Sequence, residues 1–473
     1  MAGKIAAFFG AQDLTQGKPM RGLIQFSVPL LIGNLAQQLY NTVDSIVVGK
    51  YVGDNALAAV GASGPILNLL LVLFMGIATG ATIMVSQYFG ARQHELLSTT
   101  VGNTITLTVL SSVFIMVVGP LVTHPLMSLL NTPEDIYADS CTYLIIIFLG
   151  ILGGAGYNIL SGVLRGLGDS FMPLVYLVIA CLLNIVLDLL FVVSFHWGVA
   201  GVAIATGIAQ LVSAVLCLIR LLHMKEIVVV PRSSLRLHKE LVIRLTKLGL
   251  PSGLAQAIFS LAAIVVQSLT NSFGTEVIAA SIIVMRVDGF AMMPNFTFGT
   301  AMTTYAGQNI GAGKIDRVHQ GTKSGMLLGL IVSSCLTVMI LLFGRILMGW
   351  FTNTQAIIDL GFHMMCILAV GLYSHVCYTG PFRRDAWCWR YHDAHVDFFH
   401  YNRCYPCAFG IWHCFLYPQC RAAAWQSGLP VYFAAGFLGA RRIDYLCTVS
   451  PRKMEAQGRD YCCGFLNISQ SCK

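Results

Sequence analysis

Long apolar segments separated by short polar connectors make up most of the chain before residue 380. Each segment has about 20 residues or more, which is enough for a helix to cross a bilayer core of roughly 30 Å. Ten segments can be marked, at 26–50, 56–82, 98–122, 140–163, 171–196, 198–222, 247–272, 276–302, 321–346 and 357–379. The pattern predicts an all-α polytopic membrane protein with ten helical spans in this part of the chain.

The spans form two copies of one arrangement. A proline opens span one at Pro29 and span seven at Pro251, and Gln-x-x-Gly-Ala closes span two at Gln87 and span eight at Gln308. Positions 29 and 251 differ by 222, and positions 87 and 308 differ by 221. Six spans per copy give both copies the same orientation. We therefore predict two six-helix lobes related by a pseudo-two-fold axis along the membrane normal, as in secondary transporters.

The repeat also predicts the domain organisation and the orientation. The N-lobe covers 1–225, a connecting loop covers 226–246, and a partial C-lobe of about four spans covers 247–376. Basic residues gather before span one and in the stretch 220–247, on one side of the predicted topology. By the positive-inside rule, the N-terminus and this loop are predicted to be cytoplasmic.

Composition excludes several classes of protein. Hydrophobic residues are 56% of the chain and charged residues only 11%, against roughly 25% charged in soluble domains. So few charges cannot coat a soluble globule, and the hydrophobicity rules out a disordered chain. The net charge of +8 does not indicate a nucleic-acid partner, because the basic residues form neither a basic face nor an arginine-rich helix.

The composition changes abruptly at residue 377. Ten of the 15 cysteines and four of the six tryptophans lie in 377–473. A zinc module at Cys404 and Cys407 is one interpretation, but a single CxxC without a clean second pair, in hydrophobic surroundings, argues against it. No metal or cofactor is therefore predicted.

The genetic code offers a better explanation of this tail. Tryptophan has one codon, so a one-base shift turns the dipeptides at 387–388 and 389–390 into glycine codons. With the 221-residue offset these glycines align with Gly166 and Gly168 of span four's end. We predict a frameshift near residue 372–377, with everything after it out of frame and the last two C-lobe helices lost. The coding DNA tests this prediction.

Polar side chains form one-sided stripes inside the apolar spans. The stripes are Asn34, Gln37, Asn41 and Asp44 in span one, Asn158 and Ser161 in span four, Asn184 and Asp188 in span five, and Thr206 and Gln210 in span six. Hydrogen bonds between helices can explain the amides equally well. An ionised carboxylate inside a membrane costs at least about 2.5–3.5 kcal/mol, so Asp44 and Asp188 are predicted to face a cavity or a partner.

Two carboxylates in one desolvated pocket would compete for positive species. Desolvation and mutual repulsion favour proton binding, whereas a bound cation opposes it. The site would hold protons, sodium or an organic cation, but not all together. Such mutual exclusion predicts antiport through alternating access.

The motifs of residues 15–376 resemble those of the multidrug and toxic compound extrusion (MATE) transporters, in the bacterial branch. The similar segments are Val-Pro29, Gln37–Asp44, Leu164–Asp169, Leu183–Asp188 and the doubled Gln-x-x-Gly-Ala. The resemblance implies export of cationic amphipathic drugs against H⁺ or Na⁺, by a monomer in the bacterial plasma membrane. It ends after residue 376.

The resemblance also implies which residues act. The matching cation-coupling positions are Asp44, Asn184, Asp188 and Thr206, and the substrate-cavity residues are Gln37, Asn41, Asn158 and Gln210. Span seven carries Gln256 and Gln267 where some relatives use acidic residues, so a C-lobe cation site is not expected.

Three alternatives compete with a drug exporter. A lipid or lipid-linked glycan flippase would need a cationic cavity for phosphates, whereas these spans carry acids and almost no Lys or Arg. An enzyme is not predicted, because no Ser/His, His-rich or metal-binding arrangement is present. An inactive frameshifted product is the third alternative, and ethidium efflux before and after repair of the reading frame separates it from the exporter.

Overall fold

Helices make up nearly all of the computed structural model, which describes residues 12–379 except 131, 272–274, 351 and 353. The helices are α1 (Pro19–Val47), α2 (Asp54–Gly90), α3 (His94–Leu129), α4 (Glu134–Leu149), α5 (Ile151–Gly166), α6 (Phe171–Leu189), α7 (Gly198–His223), α8 (Lys239–Asn271), α9 (Thr275–Gly311), α10 (Ile315–Gly349) and α11 (Gln355–Thr379). A 3₁₀ turn lies at Arg232–Leu235. The all-α prediction is confirmed, and no strand occurs within these ranges.

Each predicted span coincides with helix, but two details of the prediction were wrong. Span four is two helices, α4 and α5, which meet at a 51° bend. The bend lies at Gly150, where a Cβ atom would stand 3.4 Å from the Cα atom of Gly207 on α7. Close packing against α7 thus accompanies the break. The prolines at 29 and 251 lie inside α1 and α8, because both helices begin in polar sequence before the apolar run.

Length and composition identify the helices that could cross a bilayer. Within the described ranges these are α3, α7, α10 and the segment Phe171–Ser194, which is α6 with its last turn. The bent α4–α5 pair would be a fifth span.

Glycines bring the two sequence repeats into contact. A Cβ atom at Gly90 would overlap the carbonyl oxygen of Gln308, and a Cβ atom at Gly311 would overlap that of Gln87. The ends of α2 and α9 therefore cross with backbone against backbone, and each copy of Gln-x-x-Gly-Ala packs on the other. The motif that revealed the repeat in the sequence is the contact between its two copies.

The predicted frameshift near residue 372–377 is a feature of the coding DNA and stays a prediction. The out-of-frame tail, apart from its first residues in α11, and the two lost C-lobe helices lie beyond Thr379, outside the described residues.

Candidate cation site between α1 and α6

Two aspartates from different helices meet inside the first six spans. Asp44 of α1 and Asp188 of α6 lie close enough for one carboxyl group to hydrogen-bond the other. Asp188 is fully buried and Asp44 is half-buried. The Oδ1 atom of each is buried without a hydrogen-bond partner in the described structure. Buried carboxylate oxygens without donors leave room for a proton or a cation.

No base neutralises this pair within the part of the chain that the structure describes. The two ion pairs found there are Arg220 with Asp169 and Arg345 with Asp359. Neither ion pair includes Asp44 or Asp188. The negative charge of the pair must therefore be balanced by something that binds.

Asn184 and Thr206 orient one side of the pair. The Asn184 carboxamide lies between Asp188 and Thr206. Its Nδ2 donates to Asp188 Oδ2 at 2.9 Å, and its Oδ1 accepts from the Thr206 backbone N–H at 3.2 Å. Asn184 is fully buried one helical turn before Asp188. This bond holds Oδ2 of the Asp188 carboxylate and leaves its buried Oδ1 without a partner.

Two tyrosines that the sequence analysis missed border the same site. Tyr40 is buried and donates to Thr206 Oγ1 at 3.5 Å. Tyr143 of α4 is also buried, and both rings lie within electrostatic reach of Asp44 and Asp188. Tyr40 could have been found, because it precedes Asp44 by four residues and so shares its helix face. Nothing in the sequence near Tyr143 pointed to the site.

Wide turns follow both carboxylates. α1 continues into a π-helical turn at Val48–Val52, and α6 continues into another at Leu190–Ser194. Such turns concentrate at functional sites, because they displace side chains from the regular helix register. The two turns contact one another. The local backbone is thus irregular on both helices just after the aspartates.

The predicted cavity residues are not bonded to the carboxylates in the described structure. Asn158 donates to the carbonyl of Gly154 in its own helix at 2.8 Å, and Asn41 is exposed. Gln37 and Gln210 are half-buried, and Gln210 Oε1 is buried without a hydrogen-bond partner.

Asn34 belongs to a different contact from the rest of its stripe. Its Nδ2 donates to Thr297 Oγ1 of α9 at 2.9 Å. The first residue of the stripe therefore joins α1 to the second repeat, as expected for an amide that links helices.

The His, Cys, Asp and Glu side chains of the described residues lie apart from one another, except for pairs. No group of three or more His, Cys, Asp or Glu residues there could hold a metal ion.

A helical bundle built from two sequence repeats, with several helices long and apolar enough to cross a bilayer, has the architecture of a polytopic membrane protein. A family model described as MatE matches residues 29–190 and 251–379, more than half of the chain. The chain belongs to the MATE family.

Curated relatives support the same assignment. Two are the probable multidrug resistance proteins YoeA and YpnP of Bacillus subtilis. YoeA is 31% identical over 354 residues, covering 73% of this chain and 76% of that protein. YpnP is 32% identical over 352 residues, covering 74% and 78%.

Solved structures share the fold. The crystal structure of MATE in complex with MaL6 superposes with a TM-score of 0.74 at 22% identity, covering 79% of this chain and 84% of that chain. The two-lobe arrangement is consistent with such neighbours.

Proposed function

We propose that this chain is a secondary active exporter of cationic amphipathic compounds, driven by antiport of H⁺ or Na⁺. The observation that carries the proposal is the contact between half-buried Asp44 and buried Asp188, with which no base among the described residues forms an ion pair. The names of the Bacillus relatives, which are probable multidrug resistance proteins, support small organic substrates.

The exchange follows from the charge of the site. When both aspartates are ionised, their repulsion favours binding of a cation, and when a proton is shared, that attraction falls. Asn184 and Thr206 keep the Asp188 carboxylate in place through either state. Each unit charge that moves down a 100 mV potential supplies about 2.3 kcal/mol to the exchange.

The remaining assignments complete the proposal. Gln37, Asn41, Asn158 and Gln210 would line the substrate path beside the pair. The protein would act as a monomer in a bacterial inner membrane, with its N-terminus in the cytoplasm by the positive-inside rule.

Ethidium efflux tests the proposal. We expect cells expressing the chain, or its frame-repaired form, to export ethidium in response to an imposed pH or Na⁺ gradient. Asp44→Asn should abolish the gradient-driven export while the protein still reaches the membrane. Efflux that is unchanged in Asp44→Asn would refute the assigned role.

Two rival functions predict different results. A lipid or lipid-linked glycan flippase would leave ethidium in the cell but translocate a fluorescent lipid in vesicles. An inactive frameshifted product would do neither, while its repaired form would export ethidium.

A further inference from the structure

The segment before α1, Gln12–Gly17, lies across the crossing of the two repeats, and we call it the strap. The Gln12 backbone N–H donates to the Gly168 carbonyl at 3.0 Å, in the loop between α5 and α6. At Gly168, φ is +90°, and a Cβ atom there would overlap the Gln12 carbonyl oxygen. The strap therefore touches the first repeat through a position where only glycine fits without displacing it.

The second repeat holds the strap more extensively. The Leu14 backbone N–H donates to Gln308 Oε1 at 2.9 Å, and Asn309 Nδ2 donates to the Leu14 carbonyl at 3.1 Å. Arg317 donates to the carbonyls of Gly17 at 2.9 Å and Gln16 at 3.0 Å. A rigid guanidinium group, with several N–H donors in one plane, binds two carbonyl groups at once better than an ammonium group does.

Three further features keep the strap in this conformation. Leu14 is buried in a cluster with Phe26 and Tyr305. Lys314 Nζ donates to the Thr15 carbonyl at 3.0 Å. Asp13 accepts from the Thr15 hydroxyl at 2.6 Å; burial acts to raise the pKa of Asp13, but hydrogen bonds from Thr15 and Gln16 outweigh it and hold that pKa below its usual value.

Gln308, which belongs to the second repeat, bonds both the strap and the first repeat. Its Oε1 accepts from the strap, and its Nε2 donates to the Gly166 carbonyl of the first repeat at 3.0 Å. The matching residue of the first copy, Gln87, accepts from Arg244 at 3.3 Å instead. The doubled motif thus has one copy that binds the strap and one copy that does not.

We propose that the strap is a latch that keeps the two repeats closed at this end of the molecule, and that Gln308, Asn309 and Arg317 are its anchors. Opening at this end separates α5 from α9, so the strap's bond to Gly168 of the first repeat and its bond to Gln308 of the second cannot both survive. The strap must therefore release one side in each transport cycle. This role rests on the proposed transport function, whereas the anchoring itself does not.

Hydrogen exchange on the full chain in detergent tests the anchoring. We expect Arg317→Ala and Gln308→Leu to speed exchange of the Gln12 and Leu14 amides at least tenfold. The matched control is Gln87→Leu, which should leave strap exchange unchanged. Protection of α3 amides checks that each variant is folded. If Arg317→Ala unfolds the protein, Arg317→Lys keeps the charge and should still speed exchange. Strap amides that exchange equally in all variants would overturn the proposal.

A covalent lock tests the role in transport. Benzoylphenylalanine placed at Gln16 and irradiated should link the strap to the second repeat, abolish ethidium efflux and leave ethidium binding intact. The same label at Lys225, which is exposed elsewhere, should not affect efflux. Full efflux after complete cross-linking at position 16 would overturn the latch. Absence of efflux before irradiation would count against the transport function alone, and hydrogen exchange would still decide the anchoring.

Discussion

The two repeats share their scaffold but not their chemistry. Both carry a proline early in their first long helix and a glycine at the crossing of α2 with α9. At the position that matches Asp44, however, the second repeat has Val265 or Val266, depending on which of the two offsets is used. The backbones at the crossing lie so close that neither Gly90 nor Gly311 can carry a side chain without displacing the other helix. Both copies of the motif therefore need glycine at this position. The position that matches Asp44 is thus apolar in the second repeat, so the proposed cation site belongs to the first repeat alone.

The described part of the second repeat contains a half-buried carboxylate, Asp288. Asp288 of α9 is half-buried and, within the described residues, has neither an ion pair nor a second carboxylate beside it. A single membrane carboxylate therefore differs from a pair, because only in a pair does binding of one cation depend on another.

Replacing the paired Asp44 and the single Asp288 in separate variants should give the largest difference between the repeats. Asp44→Asn should lower gradient-driven ethidium efflux by at least about tenfold, in the range of typical coupling between linked sites. Asp288→Asn should retain efflux, because it has no partner to couple with. Initial efflux rates, corrected for the amount of protein in the membrane, provide the measurement. Equal loss in both variants would contradict the distinction between the repeats.

Removing the Asn184 carboxamide, which donates to Asp188, should have the next largest effect. Asn184→Leu removes the donor to Asp188 and should cost about 1.5–3 kcal/mol in cation binding, the usual value for a hydrogen bond to a charged group. Titration of ethidium binding by fluorescence measures it. Asn295→Leu is the matched control, because that buried amide belongs to the second repeat and accepts from Ser333 Oγ. An equal affinity loss in both would argue against Asn184 as a support.

The shared scaffold is tested by a methyl group at the crossing. Gly311→Ala places a Cβ atom against the Gln87 carbonyl and should destabilise the protein by about 1–3 kcal/mol, as overpacking does. Gly289→Ala lies on the same helix with nothing within 4 Å of its Cβ position and should be neutral or stabilising. Thermal unfolding followed by fluorescence compares them. A Gly311→Ala protein as stable as Gly289→Ala would contradict the packing described for α2 and α9.

Tyr40 should give the smallest effect. Tyr40→Phe removes a long hydrogen bond to Thr206 and keeps the ring, so it should cost about 0.5–1.5 kcal/mol in ethidium binding. Tyr51→Phe, exposed on the turn after α1, should have no effect. A complete loss of binding in Tyr40→Phe would show that the hydroxyl contacts the cation directly.

Periodicity in the sequence was enough to predict most of the fold. Each apolar segment coincides with helix in the described residues, because a helix in lipid must be apolar along its length. Four of these helices, or five with the bent pair, are long and apolar enough to cross a bilayer. The repeat offset identified Gln87 and Gln308 as equivalent, but not that their glycines meet. The bend at Gly150 was missed, since it accompanies close packing against α7 that no local pattern encodes.

The site was predictable only as far as helix faces allow. Asn184 with Asp188, and Asp44 with its stripe, follow from spacings of three and four residues. That these faces point at each other depends on tertiary packing, as does the position of Tyr143 on α4. Asn34 shares the stripe of Asp44 but bonds Thr297, because a long helix presents one face to different neighbours along its length.

Proton release on ethidium binding reports on the proposed exchange at Asp44 and Asp188. Purified protein in weakly buffered detergent, titrated with ethidium near the midpoint of its pH response, should release about one proton per ethidium bound, because the coupled pair cannot hold both. The Asp44→Asn protein should release none. The same titration is repeated with protein equilibrated in Na⁺, and the release of Na⁺ is measured. Ethidium binding that releases neither protons in the first titration nor Na⁺ in the second would contradict the exchange at Asp44 and Asp188.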